Sequence, residues 1–283
     1  MLRQRLLTIA ACATAAGFGG AVLSQNGHTT FAQAASARTA PVAQAPAPHV
    51  QPVLTAARAV LAAGGIENGT AVSAVQTALA ALAPSVEKQS DPEALKKAFT
   101  AYFAYKAQHP DKVRKPFLYF VDYGLAATTP RGYVFDMQRM KVVDGPFMVA
   151  HGRGSAPAGT NVPTRFGNKM GAATTSLGLY LAQETYAFVG HTGGKAYRSV
   201  GLRLAGLSGK FNGAARARGV VAHGAPYVTA SKAGRSEGCP ALEPARAQQL
   251  LPKLSNGGMV FLFSPNDAAW MQQDPWAGDA TNG

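Results

Sequence analysis

Cysteine is nearly absent from this 283-residue chain, which has only Cys12 and Cys239. There is no Cys-x-x-Cys pair and no His-Glu-x-x-His, and the six histidines are widely spaced. A zinc site is therefore only weakly supported, and no metal or organic cofactor is expected. Acidic residues are scarce, 14 against 27 Lys and Arg, which gives a formal charge of +13. Yet no run of five or more basic residues occurs, and no internal repeat is visible. The scattered positive charge suits either an anionic partner or a plainly solvated basic surface. Hydrophobic residues make up 47% of the chain, enough for a core, and the length allows one or two domains.

The N-terminus reads as an export signal. Arg3 and Arg5 precede an apolar run over residues 6–23, and Ala32-Gln33-Ala34 offers a small-x-small cleavage site. The run is also long enough for an uncleaved membrane anchor, but it is rich in Ala and Gly rather than Leu. Cleavage would remove Cys12 and both arginines, leaving about +11 and one cysteine in an oxidising compartment. A lone thiol there is unusual. As an inert core residue it would want apolar neighbours. Glycines and charges surround Cys239 instead.

Residues 1–34 are thus assigned as signal and 35–53 as an Ala/Pro-rich linker. Residues 54–110 are expected to form a helical N-terminal region. Within it, residues 54–83 read as two short helices broken at Gly64-Gly65 and Gly69. Asp91-Pro92 reads as an N-cap followed by proline at the first helical position. Leu95, Phe99, Tyr102 and Phe103 then share a face, and His109-Pro110 ends the helix. Residues 115–265 change character. Short β-prone runs at 117–122, 132–136, 147–150, 177–181, 200–204, 220–222 and 259–263 are separated by Gly, Asn and Pro. They predict a mainly β domain, a sandwich or barrel, with one helix over 243–254 and a C-terminal tail at 266–283.

The chemistry is concentrated in two segments, Val220-Val221-Ala222-His223-Gly224 and Gly234-Arg235-Ser236-Glu237-Gly238-Cys239-Pro240. A thiol needs a base or a positive charge nearby to become a nucleophile, and His223 is the nearest base in sequence, sixteen positions earlier. Gly238 lets the chain turn sharply before Cys239. Pro240 has no N–H, so oxyanion donors are expected from the amides of Cys239 and Gly238, or of a residue nearby. Ser236 can orient the base or donate a hydrogen bond. Arg235 either favours the thiolate or pairs with Glu237 or Glu243. His151 and His191 each sit among glycines and are candidates for a substrate cleft, together with Gly224 and Tyr227.

The pair His-Gly-Ala-Pro-Tyr and Gly-Arg-Ser-Glu-Gly-Cys-Pro-Ala resembles the YkuD-type L,D-transpeptidases, in particular the divergent murein L,D-transpeptidase catalytic-domain branch. Further similar segments are Val149-Ala-His-Gly-Arg-Gly-Ser155, Thr175-Ser-Leu-Gly-Leu-Tyr180, Leu202-Arg-Leu-Ala-Gly-Leu207 and Asn212-Gly-Ala-Ala-Arg-Ala-Arg218, in order across residues 117–264. The resemblance implies a β-rich catalytic domain, Cys239 as nucleophile and His223 as its base. It implies peptidoglycan stem peptides as partners, in the periplasm or cell envelope, with no nucleic acid and no membrane role beyond the export signal. The thiolate would attack the third, diamino-acid residue, expel the terminal D-alanine and pass the acyl group to a neighbouring stem. An L,D-carboxypeptidase, which passes it to water, would use the same site. Two departures stand out: Glu237 lies where the main family keeps a second histidine, and Pro240-Ala241 replaces its hydrophobic-Asn or hydrophobic-Arg pair. A non-catalytic wall-binding protein with a degenerate site, or a thiol peptidase on other peptides, are the alternatives.

Overall fold

The computed structural model describes residues 68–277. The signal segment, the linker and the Gly64-Gly65 break lie outside those residues. Helix α1 (Asn68–Leu82) runs through Gly69, where the sequence predicted a break. One glycine in a helix costs only about 1 kcal/mol relative to alanine. Burial of Ala74, Val75, Ala78 and Leu82 outweighs it. Helix α2 (Ala94–Gln108) begins later than predicted. Asp91 and Pro92 form the lead-in turn, in which the Asp91 carboxylate accepts the Glu93 N–H at 2.8 Å. His109 closes the helix as expected.

The strands β1 (Phe117–Asp122), β2 (Gly132–Asp136), β3 (Lys141–Phe147), β5 (Gly178–Thr192), β6 (Lys195–Gly206), β7 (Val221–Gly224), β9 (Ala241–Leu242) and β10 (Met259–Phe263) form one eight-stranded sheet, in the order β3-β2-β1-β10-β5-β6-β7-β9. Strands β4 (His151–Gly152) and β8 (Arg235–Ser236) pair separately and in parallel. The centre, β1 beside β10, is parallel and buried almost throughout. A strand covered on both faces needs apolar residues at every position, which is why both were legible as continuous runs. On one face Phe135 packs against Phe99 of α2 and against Phe120. Successive strand residues point to opposite faces. Tyr119 therefore faces the other way, against Phe147, which carries Arg246 of helix α3 (Pro244–Leu254) over its ring. Ala247, Leu250, Leu251 and Leu254 give α3 its buried stripe, and it runs two residues past Pro252.

Residues 147–150 do not form a single strand. The Arg131 guanidinium takes the Val149 carbonyl, at 3.1 and 2.8 Å, and diverts it from the ladder. Ala150 instead bridges to Ala241. Beyond residue 265 the chain is not a loose tail up to Ala277. Helix α4 (Ala268–Gln273) packs Trp270 on Phe261 and Phe263, and Lys97 of α2 donates to the Ala277 carbonyl at 3.1 Å. One apolar cluster runs from Ala74 through the sheet to Ala277, so both N-terminal helices share the core of the sheet.

Strands β5 and β6 extend well past their predicted ends. Their outer parts pair only with each other and close on Gly193-Gly194, both at positive φ. On one face of this arm, Gly190 and Gly201 leave room for the rings of Tyr197 and Tyr186, because an added Cβ would come within 2.4 and 2.6 Å of them. Phe188 lies between these rings.

Candidate active site

Pairing in the sheet brings the two chemical segments together. In β7, His223 faces Gly201 of β6 on one side and Ala241 of β9 on the other. Cys239 precedes Ala241 by two residues, in the turn between β8 and β9. Gly238 holds that turn at φ +125°, and a Cβ there would lie 2.7 Å from the Thr174 carbonyl oxygen. Gly152 of β4 is equally necessary, since its Cβ would lie 2.9 Å from the Gly238 Cα. The Ser236 hydroxyl fixes the turn from inside. It donates to the Cys239 carbonyl at 2.7 Å and accepts the Gly238 N–H at 3.1 Å. The Gly238 amide, expected as an oxyanion donor, is thus already bonded within the turn. The Cys239 side chain is buried, with Sγ 4.0 Å from the Gly219 carbonyl oxygen.

His223 is fully buried and stacked on Phe188, ring centroids 4.2 Å apart. Its Nδ1 lies 3.1 Å from the Gly224 carbonyl oxygen, while Nε2 is buried with no protein partner. A carbonyl only accepts, so Nδ1 carries the hydrogen and Nε2 the lone pair. Burial lowers its pKa to about 4, against a smaller opposing effect of the Gly224 bond, so the ring is neutral near pH 7. Gly224 must be glycine, because a Cβ would lie 2.4 Å from Ser199 Oγ and 2.9 Å from the Pro244 Cα.

His151 is also fully buried, but its surroundings are opposite. Its Nδ1 lies 2.8 Å from the Arg131 guanidinium, which only donates. Nδ1 is therefore the acceptor, and the hydrogen sits on Nε2, again buried without a protein partner. Burial first, then the charges of Arg131 and Arg235, push its pKa down to about 2. His151 pairs with Arg235 in the β4–β8 ladder, one residue from the Gly152–Gly238 contact. It is brought to the Cys239 turn as a neutral donor.

His191 is not brought there. It is opposite Ala196, five residues along β6 from the partner of His223, roughly 17 Å at strand rise. By alternation it also lies on the face of the arm away from Phe188. Tyr227 packs edge-on to Tyr197 at 6.5 Å, beside the small cluster of Met148, Ala150, Ala225, Val228 and Ala241. Arg235 pairs with neither Glu237 nor Glu243; its guanidinium binds the Thr160 carbonyl. Glu237 instead pairs with Arg153 at 2.7 Å, both side chains partly exposed. Among the described residues no group of three or more His, Cys, Asp or Glu is placed to hold a metal, and no helix is long and apolar enough to cross a membrane.

The family model of the L,D-transpeptidase catalytic domain matches residues 86–263, well over half of the chain. The chain belongs to this family. No curated protein matches it. Among solved structures, an L,D-transpeptidase from Mycobacterium smegmatis aligns at 17% identity over 52% of this chain and 58% of its own, with a TM-score of 0.32. This chain therefore spans less than two thirds of that protein. The L,D-transpeptidases of Stackebrandtia nassauensis and Xylanimonas cellulosilytica align at 14% and 13% identity, over 77% and 78% of this chain and 94% and 100% of theirs, each with a TM-score of 0.31.

Within this L,D-transpeptidase domain, the charged residue that sequence reasoning missed is Arg218. Its guanidinium reaches the carbonyls of Gly167, Ala172 and Thr174, each at 2.9 Å, and the Ser176 hydroxyl at 2.5 Å. It also lies 3.6 Å from where a Gly238 Cβ would sit. The one signal available was its place in the Asn212-Gly-Ala-Ala-Arg-Ala-Arg218 segment, which carries the family resemblance but no obvious chemistry.

Proposed function

We propose that this L,D-transpeptidase-family protein is an exported acyltransferase that forms a thioester on Cys239 with a peptidoglycan stem peptide. What supports this is the pairing of β7 with β9, two residues after Cys239, together with a neutral His223 whose Nε2 holds a lone pair and has no hydrogen-bond partner. His223 Nε2 takes the thiol proton, and Sγ attacks the carbonyl carbon of the third, diamino-acid residue. The tetrahedral intermediate collapses with cleavage of the C–N bond. The imidazolium returns its proton to the leaving amine of the terminal D-alanine. Next, the side-chain amine of a neighbouring stem attacks the thioester, and a 3–3 cross-link forms as the thiol is released. Water as acceptor would make the same site an L,D-carboxypeptidase.

Gly224 orients the base, and Ser236 and Gly238 hold the nucleophile's backbone. His151 presents a neutral N–H donor at the cleft. The second histidine of the main family has no counterpart in this scheme, because Glu237 is engaged by Arg153 on the surface. An N-terminal segment with the pattern of an export signal, and a net charge of +13, support placement beside the anionic wall.

Purified protein incubated with tetrapeptide-bearing muropeptides should release D-alanine and yield 3–3 dimers; tripeptide products alone would make it a carboxypeptidase. A carbapenem should add covalently to the wild type and not to Cys239→Ser, read by intact mass. No adduct and no D-alanine release would leave a non-catalytic wall-binding protein.

A further inference from the structure

We infer that Arg218 is the cation that stabilises the negative charge on Cys239 as its thiol gives up the proton, a role the sequence had offered to Arg235. The inference rests on Cys239 being the nucleophile. Burying a thiol in apolar surroundings disfavours its ionised form, so this cysteine would be inert near neutrality without a nearby positive charge. His223 does not supply one in the resting site, because its imidazole is buried and neutral. Arg235 spends its guanidinium on the Thr160 carbonyl at the surface.

Arg218 has what the others lack. Its four hydrogen bonds all go to neutral acceptors, so no carboxylate cancels its charge. Its Nε–H is buried and has no protein partner. Its guanidinium abuts the Gly238 backbone, and the carbonyl of the very next residue, Gly219, lies 4.0 Å from Sγ. Burial works against its charge, while the Tyr180 phenol and then Cys239 favour it.

Tyr123, after β1, and Tyr180, in β5, are held neutral by burial and donate to the Ala150 and Ser176 carbonyls. Arg131 faces the Tyr123 ring and His151. His151 in β4 is neutral, and Glu237 on the cysteine's own turn is paired with Arg153. A fixed guanidinium near the thiol, with a neutral imidazole as proton acceptor, separates two tasks. The arginine stabilises the negative sulfur. The histidine carries the proton from Sγ–H and later delivers it to the leaving amine.

The test uses the full chain with Cys12→Ser, so that Cys239 is the one thiol. Alkylation by iodoacetamide across pH gives a midpoint that reports ionisation, whatever the access to the buried sulfur. In this background the midpoint should lie below the ordinary thiol value of about 8.5. Arg218→Gln should raise it by about one unit and slow alkylation at neutral pH about tenfold, whereas Arg218→Lys should stay close to the parent. His223→Ala should keep the low midpoint. An unshifted Arg218→Gln midpoint would overturn the inference, as would an Arg218→Lys midpoint shifted equally far, since only loop structure would then matter. If Arg218→Gln does not fold, the parent and His223→Ala curves still decide. An ordinary midpoint in the parent, or a return to it in His223→Ala, sinks the idea. No wall substrate enters this assay, so its failure leaves the transpeptidase reading standing. A low midpoint without acyl transfer would do the reverse.

Discussion

His223 and His151 are both fully buried and neutral, and each has one ring nitrogen pinned and the other unpartnered. They differ in what does the pinning. A backbone carbonyl holds Nδ1 of His223, so its free nitrogen is a base. A guanidinium holds Nδ1 of His151, so its free nitrogen is a donor. The same residue type takes opposite roles because β7 ends next to a carbonyl and β4 runs past a buried arginine. Burial makes both possible, since either ring would lose its assignment on becoming an imidazolium.

The comparison is broken most severely at the base. His223→Gln keeps a polar side chain but has no proton acceptor of suitable basicity. Carbapenem acylation and D-alanine release should fall on the order of 10²–10⁴-fold. His151 offers the contrast. His151→Phe should lower activity by about tenfold to a few hundredfold, as loss of a positioned donor does. His151→Gln should recover much of that loss, because its amide oxygen can accept from Arg131 while its NH₂ donates into the cleft. Equal losses for Gln at both positions, measured by single-turnover acylation, would show that the two histidines do not play opposite parts.

A subtler test uses pH. Both pKa values lie below the usual 6.5, at about 4 and about 2. As pH falls below 6.5 the unfolded chain takes up protons that the folded chain refuses, so stability is lost in that direction and is constant above it. His223 alone accounts for roughly 3 kcal/mol of this loss once the pH is below its folded pKa. Thermal unfolding should therefore show a midpoint that is flat above pH 7 and falls steeply toward pH 4. His151→Gln should shallow that slope; a slope unchanged from wild type would mean His151 titrates normally.

Smaller again is Ser236→Ala, which unbonds a buried amide and a buried carbonyl in the cysteine's turn. A destabilisation of about 1–3 kcal/mol in urea unfolding is expected. The smallest effect belongs to Glu237→Ala. Its pair with Arg153 is partly exposed, so stability should change by less than about 1 kcal/mol and acylation by only a few-fold. A large loss of activity there would restore Glu237 to the place of the second histidine.

Much of this was legible in the sequence. Strands β1, β2 and β10 were placed to the residue because they are buried nearly throughout and read as unbroken apolar runs. The arm of β5 and β6 was seen only at its base. Its outer half is a two-stranded ribbon with one aromatic face, interrupted by Gln183-Glu184, and glycines opposite the rings weaken its alternation further. The stop expected at Gly69 failed because a local propensity of about 1 kcal/mol yields to tertiary burial. In the site, Cys239 and His223 were marked by their glycine-rich surroundings. Arg218 had no such mark.

The sequence by itself determined a β-rich domain with helices before it, a cysteine in a glycine turn and a histidine at a strand end, because these depend on local pattern and residue chemistry. Only the tertiary structure decided which nitrogen of each histidine holds its proton, which glutamate–arginine pair forms, and which arginine lies against the Gly238 turn. Those depend on contacts between segments far apart in the chain. The buried partners that fix them, Gly224, Arg131 and the loop carbonyls around Arg218, meet their targets only once the sheet has closed.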